Sequence, residues 1–122
     1  MVLGFKKQFV DKILSGSKIH TIREDKHRRW QKGRKIHFAT GTRTKNYNQF
    51  KEGICKWNQA VHLDPEKREI RLGLNGGMHL LDKNHNEMFA KNDGFDSEDE
   101  FWEWFNEPFW GIVIHWTDFV YS

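Results

Sequence analysis

Cysteine is almost missing from this sequence, proline is sparse, and long apolar runs are absent. Cys55 is the one cysteine among 122 residues. No disulfide can form within the chain, which suits a reducing compartment. No stretch approaches the ~20 apolar residues of a membrane span. Met1 to Phe5 is too short an apolar run for a signal peptide, and Lys6 and Lys7 follow at once. These absences predict a cytoplasmic protein with no membrane association. Metal-ligand spacing is also missing. Seven histidines are present, but no His-Glu-x-x-His occurs and Cys55 has no CxxC partner, so neither a metal nor another cofactor is expected. Apolar residues make up 37% of the chain, below the usual ~45–50%.

Aromatic residues offset that deficit: ten Phe, six Trp and two Tyr. Large rings bury much area per residue, so a core is attainable without a staple. The length predicts one domain over residues 1–122, expected to act as a monomer. The net charge is only +3, but its distribution is lopsided. Residues 1–61 hold fifteen Lys/Arg and four Asp/Glu, whereas residues 62–122 hold five and thirteen. Such asymmetry points either to a polyanion-facing surface in the first half or to pairing of the two halves with each other.

Periodicity gives an element order. A short strand over 2–5 precedes a helix over about Gln8–Ser15, whose apolar positions are Phe9, Val10, Ile13 and Leu14 and which stops at Gly16. Lys18–Arg23 reads as extended and Asp25–Lys35 as a polar loop turning at Gly33. Lys35–Thr40 is a strand and Gly41–Lys51 a loop. Ile54–Leu63 and Glu69–Leu74 form a hairpin through Asp64-Pro65-Glu66-Lys67. After Asn75-Gly76-Gly77 come a short strand over Met78–Leu81 and a helical turn over His85–Lys91. Ser97 and Glu100 fit a capping box that opens an acidic helix with Phe101, Trp104 and Phe105 on one face. Pro108 ends it. Phe109–Tyr121 is apolar on both faces through Val113, which marks a central strand. The order predicts an α+β, mainly β fold: a compact barrel with two short helices.

The segment Gly16-Ser17-Lys18-Ile19-His20-Thr21-Ile22-Arg23 carries the strongest motif. A helix ends in Gly, and Lys18, Thr21 and Arg23 follow within seven residues. This resembles the ASCH family (activating signal cointegrator homology), which has a PUA-like β-barrel. The resemblance is specific over Phe9–Thr40 and loose over Asp93–Tyr121, where Asp93-Gly94-Phe95, the acidic helix and the apolar last strand take part. It is absent over Thr42–Met88. The Lys-x-x-Thr form is similar to that of small N4-acetylcytidine amidohydrolases, in which the Lys, the Thr and a downstream Glu are the catalytic set. The resemblance therefore implies Lys18 and Thr21 as catalytic residues, with Asp93, one methylene shorter than Glu, nearest the acid. It also implies RNA or a modified nucleoside as the partner.

The chemistry is sensible for these side chains. A Thr hydroxyl is a weak nucleophile unless a neighbour takes its proton. A Lys does this when desolvation lowers its pKa, or it stays charged and stabilises an oxyanion. In a regular strand, however, Lys18 and Thr21 point to opposite faces, so they meet only if the segment is irregular. Arg23 offers a planar fork for a phosphate, base or carboxylate, or for an internal salt bridge. Lys26–Lys35 contains six Lys/Arg. Arg28, Arg29, Lys32, Arg34 and Lys35 there are candidate phosphate contacts, and Trp30 is a candidate stacking platform unless it is tucked into the core. Three functional classes stay open: an RNA- or nucleobase-binding module, an amidohydrolase acting on acylated cytidine, and an adaptor using the acidic helix.

Overall fold

The chain's most apolar segment, the final strand, organises the fold. In the computed structural model, which describes residues 1–122, β8 (Phe109–His115) lies between β2 (His20–Arg23) and β5 (Trp57–Asp64). Strands β6 (Glu69–Leu74) and β7 (Gly77–Leu80) complete a five-stranded antiparallel sheet in the order β2-β8-β5-β6-β7. A second sheet, β1-β3-β4, comprises β1 (Val2–Gly4), β3 (Lys35–Thr40) and β4 (Asn48–Ile54), with β1 parallel to β3. Both sheets pack on one core that includes Phe38, Ile36, Val61, Leu63, Val113 and Ile114. Neither sheet closes on itself. The fold is mixed α+β and mostly β; its strands form two separately hydrogen-bonded sheets rather than the closed barrel expected.

Three short helices are present rather than two: α1 (Val10–Ser15), α2 (Asn86–Asn92) and α3 (Glu98–Trp104). The expected helical turn at His85–Lys91 is a full helix extended at its start by a 3-10 turn over Lys83–His85. Helix α1 buries Ile13 and ends at Gly16, whose φ of 87° needs a residue without Cβ. Ser97 caps α3 by accepting from the Glu100 N–H at 3.2 Å, but the Glu100 carboxylate accepts from the Asp96 N–H rather than that of Ser97. Trp102, not Trp104, is the buried tryptophan of α3, and its Nε1–H donates to Glu98.

Three boundaries differ from those expected. The expected loop over Gly41–Lys51 ends at Tyr47, because β4 pairs along β3 from Asn48 onward across a bulge at Phe38/Ala39. Ile54 belongs to β4, and the chain turns at Cys55, whose N–H and C=O are taken by Arg34 O and Gly33 N–H. The last strand stops at His115, after which the chain runs irregularly to place Tyr121 back in the core. No helix is long and apolar enough to cross a membrane.

Candidate active site

Lys18 precedes β2 and is not part of it. Its N–H bonds to Lys12 O, and that of Ile19 to Asn92 O, so the chain leaves α1 irregularly before pairing begins at His20. The opposite-face problem thereby disappears. Thr21 and Arg23 share one face of β2, and Lys18 swings onto the same side. Lys18, Thr21, Arg23 and Asp93 all line one cavity of about 570 Å³ walled by Phe5, Phe9, Phe95, Trp104 and Phe105. That volume lies in the range of small-molecule sites.

Lys18, Thr21, Arg23 and Asp93 are each held in the cavity by polar contacts. Lys18 is 2% exposed, Thr21 3% and Asp93 2%. The Lys18 ammonium donates to His20 O at 2.8 Å and to the backbone O of Asp93, and its Nζ lies 3.7 Å from Asp93 Oδ1. The Phe9 and Phe5 rings stand 5.0 and 5.7 Å from the same nitrogen. Burial brings the Lys18 pKa down to about 8, with the opposing charge of Asp93 limiting the fall. Two backbone carbonyls occupy two of its N–H groups, so the third tetrahedral position is the one that can lose a proton. Arg23 donates from Nη1 to Thr21 Oγ1 at 2.8 Å and from Nη2 to Gly4 O at 2.6 Å, with its guanidinium over Phe5. Burial lowers its pKa as well.

Gly94 makes the close packing possible. Its φ is +96°, and a Cβ there would lie 2.6 Å from Lys18 Cδ and 3.0 Å from Phe9 Cδ1. The Asp-Gly-Phe triplet thus places a carboxylate on the cavity, a gap for the lysine stem, and a ring against Phe9 at 5.5 Å.

Sequence reasoning missed a buried polar group behind Asp93. His20 Nδ1 lies 3.0 Å from Asp93 Oδ1, and its Nε2 lies 2.6 Å from the Tyr121 hydroxyl. Tyr121 OH also accepts from Asn92 Nδ2 at 3.2 Å. Burial lowers the His20 pKa and raises that of Tyr121, so both are neutral. No periodicity links residues 20, 93 and 121; the only signal was a histidine inside the Lys-x-x-Thr motif.

The basic loop is built separately. The Asp25 carboxylate accepts from the N–H groups of Arg29 and Trp30, which turns Trp30 inward. Trp30 is 6% exposed and belongs to the core, so its ring has no open face for a base; as a stacking platform it is corrected to a core residue. Arg28, Arg29, Lys32 and Arg34 are exposed and make no ion pair, while Lys35 lies 3.9 Å from Glu52. Lys32 Nζ sits 4.0 Å over the ring of Trp57, which is 40% exposed. Part of the charge asymmetry is used internally: Lys12–Asp96, Lys18–Asp93 and Lys56–Asp118 join the two halves. No cluster of three or more His, Cys, Asp or Glu side chains is placed to hold a metal ion. Comparison with protein-family models, with curated proteins and with solved structures finds no match to this chain.

Proposed function

We propose that this chain is an ASCH-type, PUA-like protein whose cavity takes an acylated nucleobase and hydrolyses its exocyclic amide, with N4-acetylcytidine as the reference substrate. The observation that carries this reading is the convergence of Lys18, Thr21 and Asp93, from two distant segments, on one aromatic-walled cavity. A buried amine whose pKa is lowered by desolvation, beside a specific charge partner in a cleft, is a candidate for chemistry. With a pKa of about 8, roughly a tenth of Lys18 is neutral at pH 7, against about 4 in 10⁴ for an ordinary lysine.

The Thr21 oxygen attacks the acyl carbonyl as its proton passes to the neutral Lys18 amine. The resulting oxyanion is stabilised by the Arg23 guanidinium and the newly formed ammonium. Collapse breaks the C–N bond, and Lys18 returns the proton to the departing nucleobase nitrogen. Water then attacks the Thr21 ester as Lys18 takes its proton; the C–O bond breaks, Lys18 returns that proton to the departing Thr21 oxygen, and the released acid ionises to acetate in solvent. No hydrogen bond joins Lys18 to Thr21 in the unliganded cavity, and catalytic bonds commonly tighten only once substrate is in place. Release of cytidine and acetate from N4-acetylcytidine by the wild-type protein, and none by Thr21→Ala, is the test.

A second reading has its own observation. Arg28, Arg29, Lys32 and Arg34 are unpaired on one loop beside the exposed Trp57, which suits contact with RNA phosphates and a stacked base. It gives RNA binding with or without hydrolysis.

A further inference from the structure

We propose that His20 is a positioning residue for the site: its Nδ1–H fixes the Asp93 carboxylate, and Tyr121, clamped by Gln59, fixes the imidazole tautomer. The kinetic part of this proposal rests on the hydrolytic reading above; the tautomer part does not.

The geometry runs inward from the cavity. Asp93 Oδ1 is the carboxylate oxygen that lies 3.7 Å from Lys18 Nζ, and the same oxygen meets His20 Nδ1 at 3.0 Å. A carboxylate only accepts, so Nδ1 carries the proton. Nε2 is then the acceptor, and the Tyr121 hydroxyl donates to it at 2.6 Å. The tyrosine oxygen in turn accepts from Asn92 Nδ2. The three hydrogen bonds that join Asn92, Tyr121, His20 and Asp93 run in one consistent direction, so the opposite tautomer would set two acceptors against each other at Asp93.

Tyr121 is held for this purpose from the far side. Gln59 grips its backbone twice: Oε1 accepts from the Tyr121 N–H at 3.3 Å, and Nε2 donates to Tyr121 O at 3.0 Å. His115 Nε2 donates to the same Gln59 oxygen at 2.9 Å, which fixes the amide orientation. The groups facing His20 are Asp93, Lys18, His115, Tyr121 and the Phe89 ring at 5.0 Å. An apolar core would have been simpler at this depth. A polar chain whose hydrogen bonds run one way and end on the cavity acid, with only His115 Nδ1 behind it left without a partner, is what orientation of that acid requires.

Two measurements test the proposal. Long-range ¹H–¹⁵N spectra of the wild-type imidazoles near neutral pH should give His20 a protonated Nδ1 and an unprotonated Nε2. A protonated Nε2, or an imidazolium, overturns it whether or not the protein hydrolyses anything. Steady-state kinetics supply the second. His20→Leu should lower kcat by ~10²-fold with KM little changed, because a displaced Asp93 carboxylate misplaces the Lys18 amine that it faces. His20→Asn, whose side-chain N–H can replace Nδ1–H, should recover most of that loss. Equal kcat in folded His20→Leu and wild type, or no recovery in folded His20→Asn, overturns the positioning role. If His20→Leu does not fold, Tyr121→Phe replaces it: mixed tautomers and a lower kcat are expected, and an unchanged tautomer with unchanged kcat overturns the proposal. A wild type with the expected tautomer but no product release fails the hydrolytic reading while leaving the hydrogen-bond order standing.

Discussion

The buried Lys18 should make stability rise with pH. Its pKa falls to about 8 in the fold, whereas an unfolded lysine titrates near 10.4. Between those values the unfolded chain binds more protons than the folded one, so unfolding free energy increases with pH. The burden of burying the charge is complete below pH 8 and is relieved as pH climbs toward 10. From about pH 7 to about pH 9.5 the gain from this one group is about 2 kcal/mol. Tyr121 works the other way, since burial holds its phenol protonated, but it contributes only above about pH 10. Urea denaturation of wild type and Lys18→Met at both pH values isolates the lysine, because all other titrations cancel in the difference. Wild type should gain about 2 kcal/mol more than the variant. Parallel pH dependence in the two proteins would refute a depressed Lys18 pKa and with it the neutral amine that the hydrolysis uses.

Gly94→Ala should destabilise the protein by roughly 2–4 kcal/mol, since positive φ and a collision with the Lys18 stem act together; thermal unfolding checks this, and a change under about 0.5 kcal/mol would deny the packing role. Reversing charge at Arg28 and Arg29 should weaken single-stranded RNA binding alike for all sequences and flatten its salt dependence. In the same titrations Trp57→Ala should lower affinity at unchanged slope, while Trp30→Ala should instead lower stability by about 3–5 kcal/mol. Binding that ignores salt between about 50 and 200 mM would remove the phosphate contacts.

Much of the site was legible because it is local. Gly16, Lys18, Thr21 and Arg23 lie in eight consecutive residues, and a helix stop followed by an extended segment is readable from periodicity. Their convergence was not, because alternation holds only inside a ladder, and β2 begins at His20. The Lys12 and Asn92 carbonyls that hold residues 18 and 19 off the ladder belong to other elements. Trp30 shows the opposite limit. Six cations surround it in sequence, yet the Asp25 carboxylate turns the backbone and sends the ring inward while the charges stay outside. His20 and Tyr121 are 101 positions apart, and only the irregular return of the chain after His115 brings the hydroxyl to the imidazole. The three helices were foreshadowed by Gly16, by His85–Lys91 and by the Ser97 cap. The separation of the two sheets was not, since strand order across non-consecutive segments has no local signal.

Incubating the purified protein with N4-acetylcytidine near pH 8, and measuring cytidine and acetate against Thr21→Ala, tests the central claim most directly. The account predicts equimolar cytidine and acetate from wild type, with activity rising through a pKa of about 8 and lost in the folded Thr21→Ala protein. No release by folded wild type, or equal release by Thr21→Ala, would contradict it.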